Sequence, residues 1–375
     1  MRLGKKYALE KNVLEAAKER ISFIFDHFES IVVSISGGKD SEVAAHLCLM
    51  EAKKRGRKIG LFYLDEEVVY RSTIEMIAYI MDLFPENTIR YWLQIPFNLT
   101  NSTSMIEGYL DAWEPSKRKL WMHKRKKNNV LHQTWSHETK ITNKNIGLDF
   151  YDVLRNFQMG FSNTAFVVGL RANESLDRYR AVTKHPGYQD VMWSTKQKRG
   201  CCNFYPLYDW METDIWKYIA NNGLKYHKYY DYCFKKGVPI HYMRVSSLIH
   251  EKAFKSIQDL PEFEFDTYEK LLKRIKGISF AQETARNKKM FRVTELPKRY
   301  KTWKEYRDNL LATYPVPEHK AIFEKRFAKH LDNEWVYRQQ CKQLVLGDIE
   351  NTFPIKNENK EDLLKERIDY WRKML

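Results

Sequence analysis

Ser36-Gly37-Gly38-Lys39-Asp40-Ser41 is the stretch of this chain best equipped for chemistry. Two glycines without Cβ atoms let backbone N–H groups close around phosphate oxygens, and a helix beginning here adds the partial positive charge of its N-terminus. Gly37 and Gly38 permit the tight turn, Lys39 can neutralise phosphate oxygens, and Ser36 and Ser41 offer hydroxyl donors. Asp40 is placed to cap the helix or to hold a magnesium ion. The glycine spacing is not that of G-x-x-x-x-G-K-[ST], so the loop is not of the Walker type.

A second group of candidates lies in Gly169-Leu170-Arg171-Ala172-Asn173-Glu174-Ser175. Arg171 follows a short apolar run and so stands at the C-terminal end of a strand, where open α/β sheets bind ligands; its guanidinium can clamp a phosphate or sulfate through two hydrogen bonds. Arg178 supplies a further charge, and Glu174 is placed to orient Arg171; the alternative for this trio is a surface salt-bridge cluster. Asp65 ends another strand at the same edge and is open to a ribose contact or to magnesium. The expected catalytic set is Lys39, Asp40 and Arg171.

Hydrophobic periodicity supplies the elements that must carry these residues. Val13, Leu14, Ala17, Ile21, Ile24, Phe25 and Phe28 recur at helical spacing, and Ile31 to Ile35 reads as a strand buried on both faces. The segment 40–55 reads as a helix with Val43, Leu47 and Met50 on one face, followed by a strand over 58–64, a helix over 70–84 and a strand over 88–93. This β-α-β-α-β order predicts a doubly wound, mostly parallel α/β sheet. The same pattern resumes with a helix over 149–160, a strand over 165–169 and a helix over 211–221. The nucleotide-binding domain is expected to span 1–237, and the proline-punctuated charged helices of 238–375 to form a helical C-terminal region ending in a helix over 360–375.

The interruption at about 98–145 is polar and aromatic, and is expected to form an insertion over the sheet edge. Lys117, Arg118, Lys119, Lys124, Arg125, Lys126 and Lys127 alternate there with Trp113, Trp121 and His123. Cations beside stacking rings suit DNA or RNA; a solvated, mobile loop is the other reading. The net charge of +16, from 64 basic and 48 acidic residues, attracts phosphate-rich partners without choosing among them. His123, His132 and His137 have no metal-ligand spacing and are expected to be solvent-facing or packing residues. The apolar runs are too short to span a bilayer and the N-terminus has no apolar signal core, so no membrane association and a cytoplasmic location are expected.

Five cysteines with no C-x-x-C pair argue against a disulfide framework, a zinc ribbon or a four-cysteine cluster. Vicinal Cys201-Cys202 beside Lys198 and Arg199 is either redox-active or two small residues leading into a strand.

The segment 36–41 resembles the PP-loop of the ATP pyrophosphatase and adenine nucleotide α-hydrolase superfamily. Gly169 to Ser175 with Arg178, and Tyr205-Pro206-Leu207-Tyr208-Asp209-Trp210 with Asp214-Ile215-Trp216, resemble later signatures of phosphoadenosine phosphosulfate (PAPS) reductases, in family order. The resemblance implies an adenine-nucleotide ligand, ATP or a PAPS- or APS-like sulfonucleotide; magnesium is expected with it, and the cysteine spacing argues against zinc and an iron–sulfur cluster. Asp65 matches a nucleotide-contacting position, although Glu66 and Glu67 depart from the D-T-G continuation. Trp210, Ile215, Trp216 and Ile219 have helix-face spacing and are expected in the core. The E-C-G-hydrophobic-H segment of the reductases is missing.

Met243-Arg244-Val245-Ser246 and the basic extension resemble PAPS-reductase-like proteins described as co-activators of prophage gene expression, which implies a ParB-like partner. Three functions follow from these residues. The first is α-phosphate chemistry with pyrophosphate release; the second is nucleotide-dependent regulation with DNA or a protein partner; the third is sulfur transfer or reduction through Cys201 or Cys202.

Overall fold

The computed structural model describes residues 10–104, 107–126, 130–131, 148–183, 187–250, 253–278, 296–297, 299–349, 351 and 354–357. The chain divides into two compact units, Met1–Thr103 with Glu107–Lys276, and Ser104–Ile106 with Gly277–Leu375. Among the described residues no helix is long and apolar enough to cross a membrane.

The first unit begins with helix α1 (Val13–His27), β1 (Ser30–Ser34), α2 (Lys39–Lys54), β2 (Ile59–Leu64), α3 (Arg71–Asp82) and β3 (Thr88–Leu93). Asn12 and Glu15 form a reciprocal capping box that starts α1, whose buried face is Ala17, Ile21, Ile24 and Phe25. After β3 come β4 (Phe97–Thr100), β5 (Tyr109–Ala112), β6 (Val130–Leu131), α4 (Phe150–Met159) and β7 (Thr164–Val168). The unit continues through α5 (Leu176–Thr183), β8 (Ser194–Lys196), β9 (Cys202–Phe204), α6 (Glu212–Asn221), α7 (Tyr229–Lys235), α8 (Phe254–Phe263) and α9 (Phe265–Arg274).

Seven strands form one sheet in the order β6-β3-β2-β1-β7-β9-β8. Every pairing is parallel except that of β8 with β9. The expected α/β architecture is therefore present, with β1 central: Val33 pairs with Leu61 on one side and Val167 on the other. All six positions of β2 are buried, as a strand covered on both faces requires. Burying an aliphatic side chain such as Leu61 contributes about 1.5–3 kcal/mol.

Two expectations need correction. Met50 does not join the buried face of α2: it is 47% exposed, and the stripe runs through Val43, Ala44, Leu47, Cys48 and Ala52. The interruption is not one excursion over the edge. It holds a separate antiparallel hairpin, β4 with β5, and then adds β6 to the sheet beside β3.

The division between compact units falls after Lys276, so the first compact unit runs past Gly237, where the sequence places its domain boundary. The reason is Glu264, a buried carboxylate between α8 and α9 that accepts from Arg71 N at 2.8 Å, Ser72 N at 3.0 Å and Thr267 Oγ1 at 2.7 Å. It caps the start of α3 and makes the segment after Gly237 integral to the first unit.

The second unit contains α10 (Trp303–Ala312), α11 (Pro317–Phe327) and α12 (Glu334–Leu346). They enclose Phe323, Phe327, Val336 and Leu344, in keeping with the expected helical C-terminal region. The helix expected over 360–375 lies outside the described residues.

Candidate functional site

The 36–41 loop joins the C-terminal end of β1 to the start of α2, with Gly38 at the N-cap. Gly37 has φ +75°, and a Cβ there would meet Thr73 Cγ2 at 3.0 Å, so both conformation and space call for glycine. The two serine hydroxyls brace the loop. Ser36 N donates to Ser41 Oγ at 3.1 Å, Ser41 Oγ donates to the Gly38 carbonyl at 2.9 Å, and the hydroxyls lie 3.1 Å apart.

Lys39 is buried, with Nζ 3.5 Å from Asp40 Oδ2 and 5.2 Å from the centre of the Tyr230 ring. Burial lowers its pKa while Asp40 works against that shift. Tyr230, which the sequence reading did not single out, also accepts from Lys39 N at 3.4 Å.

Arg171 is brought to this loop by β7. A Cβ at Gly169 would lie 2.7 Å from the Asp40 carbonyl oxygen and 2.8 Å from Ser41 Cα, so the end of β7 presses directly on the first turn of α2. Arg171 is only 4% exposed. Its Nε donates to Asp40 Oδ1, Nη2 reaches Glu174 Oε1 at 3.1 Å, and Nη1 reaches Glu212 Oε2 at 3.3 Å. Glu174 also pairs with Arg178, as an orienting carboxylate would.

Arg171 is thus buried, Glu174 and Glu212 are partly buried around it, and Arg178 is exposed. Lys39, Arg171, Glu174 and Glu212 line a cavity of about 270 Å³, closed on the other side by 240–244. Glu212, at the start of α6, was missed because nothing in a helix N-terminal glutamate signals a partner 41 positions away.

Asp40 does not fit the role of magnesium ligand in this geometry. Oδ1 accepts from Arg171 and Oδ2 faces Lys39 Nζ, so a divalent cation would have to displace a cation already there. Among the described residues no group of three or more His, Cys, Asp or Glu side chains is arranged to hold a metal.

Asp65 also departs from expectation. It is fully buried, with Oδ1 accepting from Glu67 N at 3.0 Å and lying 3.3 Å from His123 Nε2. Oδ2 accepts from Trp92 Nε1 at 2.9 Å and Gln94 Nε2 at 2.8 Å. Three protein donors and the His123 ring crowd this fully buried carboxylate, so a ribose or a metal would have to displace them. Glu67, where the family pattern has glycine, adopts φ +64° and is held by Arg274 through bonds of 2.7 and 3.1 Å.

The basic segment is largely folded onto its own aromatic residues. Arg125 stacks 4.7 Å from the Trp121 ring and 5.5 Å from Trp113, Lys126 lies 4.3 Å from Trp92, and Arg118 lies 6.0 Å from Trp121. Lys117 pairs with Glu114 at 2.9 Å. Arg118, Lys119 and Lys124 are exposed, whereas Lys127, His132 and His137 lie outside the described residues. His123 is a packing residue against Asp65 and Trp113.

Trp210, Ile215 and Ile219 are core residues as expected, and Trp216 is partly buried against them. Cys201 and Cys202 are both buried, in hydrophobic clusters on opposite faces of the sheet, and neither lines the cavity.

A neighbouring group escaped the sequence reading altogether. Glu42, in the first turn of α2, is fully buried, and neither carboxylate oxygen has a hydrogen-bond partner. Burial pushes its carboxyl up to about 8.

The chain is 27% identical over 358 residues to the uncharacterized protein YbdN of Escherichia coli (strain K12), covering 92% of this chain and 85% of that protein. A crystal structure of PAPS reductase from Candida auris in a phosphate complex matches at TM-score 0.35 and 12% identity, over 65% of this chain and 98% of the other. A domain of unknown function, DUF3440, matches residues 237–372. The phosphoadenosine phosphosulfate reductase domain matches residues 30–257, more than half of the chain and the whole of the loop, Arg171 and Glu212 constellation, and it is to that family that the chain belongs.

Proposed function

We propose that this chain binds an adenine nucleotide with its phosphates against the 36–41 loop and acts at the α-phosphate, transferring adenylate to an acceptor and releasing pyrophosphate. The observation that carries this reading is that Lys39 and Arg171, from segments far apart in sequence, line one cavity at the N-terminus of α2. In the reaction the acceptor's nucleophile bonds to the α-phosphorus, the bond to the bridging oxygen breaks, and pyrophosphate leaves with the electron pair. Lys39 and Arg171 meet the charge growing on that leaving group. A PAPS- or APS-like sulfonucleotide is the variant ligand, with sulfate in place of the terminal phosphates. Among the described residues no cysteine lines the cavity, which favours phosphorus chemistry over thiol attack on sulfur.

The test is equilibrium binding of ATP, followed by incubation with ATP, magnesium and candidate acceptors while pyrophosphate is measured. Binding with acceptor-dependent pyrophosphate release is expected. No binding at millimolar nucleotide removes the reading; binding without release under any acceptor removes the catalytic half.

The exposed Arg118, Lys119 and Lys124 favour a second reading: a nucleotide-dependent regulatory protein that meets DNA or a ParB-like partner. It predicts salt-dependent DNA binding that is lost when Arg118, Lys119 and Lys124 are changed to glutamine. Binding that survives those changes moves the contact elsewhere.

A further inference from the structure

We infer that Arg244 is a ligand-binding residue that takes a second anionic group of the nucleotide, apart from the phosphate cradled by the 36–41 loop. The inference rests on the nucleotide-binding reading above and sharpens its ligand class.

Three cations line the cavity: Lys39, Arg171 and Arg244. Lys39 faces Asp40, and Arg171 is shared among Asp40, Glu174 and Glu212. Arg244 has no hydrogen bond or ion pair among the described residues, so its guanidinium donors remain available to whatever enters. Arg178 lies close enough that the positive charge of Arg244 acts on it: burial lowers its pKa first, Asp40 opposes, and Arg244 adds to the lowering. Lys39, Arg171, Arg178 and Arg244 together face Asp40, Glu174 and Glu212, an excess of one positive charge. An incoming anion would cancel that excess.

An exposed arginine without a partner is ordinary on a protein surface; a fixed backbone beneath it is less so. Tyr242 N donates to the Pro239 carbonyl at 2.9 Å, Met243 N donates to that of Ile240 at 3.2 Å, and Met243 is buried. On the other side Leu248 N donates to the Val68 carbonyl at 3.0 Å, joined by Ser247 Oγ at 3.2 Å. Ser102 N donates to the Ile249 carbonyl at 2.9 Å. The 240–249 strap is therefore anchored both before and after Arg244, and the arginine leaves a positioned main chain towards the cavity. Preorganisation of this kind lowers the ordering cost of binding a charged group.

The chemistry selected is a nucleotide with two separately charged groups: a long 5′ phosphate chain, or a 5′ phosphate together with a 3′ phosphate. The full-length wild type, Arg244→Ala and Arg244→Lys are titrated with AMP, ATP and adenosine 3′,5′-bisphosphate, after thermal melts establish that all three proteins are folded. The expected result is a loss of roughly tenfold or more in affinity for ATP, the bisphosphate or both in Arg244→Ala, partial recovery in Arg244→Lys, and AMP binding changed by no more than about twofold.

A loss confined to ATP places the second anion on the 5′ chain, and a loss confined to the bisphosphate places it at the 3′ position. Equal weakening of all three ligands, or no weakening, overturns the assignment of Arg244 while leaving nucleotide binding intact. A wild type that binds none of the three overturns both readings.

Discussion

Two arginine–carboxylate clusters sit beyond the C-terminal ends of the parallel strands, and they use the same ingredients to opposite ends. Arg274 and Glu67 are sealed, 3% and 0% exposed, and matched one to one through two hydrogen bonds. Glu67 also accepts from Trp113 N at 2.6 Å, and Arg274 donates to the Asp111 carbonyl at 2.8 Å. Glu67 and Trp113 both hold positive φ, a conformation that costs a non-glycine residue about 1–2 kcal/mol and persists only where its surroundings enforce it. Arg171 instead divides its donors among three carboxylates and borders a cavity. A closed, stoichiometric pair is a clamp for the chain; an open, shared arginine can exchange a partner for a ligand.

Substituting each arginine tests the contrast most strongly. Arg274→Ala strands a buried carboxylate and should cost about 3–5 kcal/mol in urea unfolding, with nucleotide affinity per folded molecule unchanged. Arg171→Gln leaves carboxylates that border a cavity, so its stability loss should be smaller, about 1–2 kcal/mol, while nucleotide affinity falls roughly tenfold or more. If Arg171→Gln unfolds the chain and Arg274→Ala only weakens binding, the two roles have been assigned the wrong way round.

Glu42 extends the comparison to a buried carboxyl with no partner at all. Its pKa stands at about 8 in the folded chain against an ordinary 4.5, so the folded chain keeps a proton that the unfolded chain releases. Stability should therefore fall as pH rises from about 4.5 to about 8, by about 3 kcal/mol at pH 7. Glu42→Gln should flatten that fall in urea titrations at stepped pH. An unchanged slope would mean that the carboxyl is solvated.

His123 carries a smaller effect of opposite origin. Burial is the largest single influence and opposes its charge, but Asp65, the Lys124 backbone and Glu67 together outweigh it and raise the pKa above 6.5. The stability it adds is complete below pH 6.5 and is lost as pH rises through the higher folded value. His123→Gln should remove that loss, and a wild-type slope persisting in the variant would assign the titration elsewhere. The smallest effect is expected from Cys201→Ala with Cys202→Ala: pyrophosphate release per folded molecule should be unchanged, and its abolition would restore thiol chemistry.

The sheet was legible because its central strands are short, apolar runs between helices of regular period, and β3 spans the expected 88–93. The hairpin, β6, β8 and β9 were not, since strands of two to four residues are too brief for alternation to emerge. Among candidate site residues, local patterns point to the loop and to Arg171. Asp65 reads locally as an open strand-end carboxylate, because its donors Trp92 and Gln94 lie 27 and 29 positions away. The Arg274 partner of Glu67 is 207 positions distant, and no local pattern reports a contact of that range.

Gly169 gives the site a mechanical property that neither cluster alone supplies. With no side chain between them, the end of β7 and the first turn of α2 are in direct backbone contact, so the loop and the arginine behave as one rigid jaw rather than two jointed parts. The opposite wall, the 240–244 strap, is tied to Val68 and Ser102 through residues 247–249, so a ligand would enter between two fixed walls rather than past a hinged one.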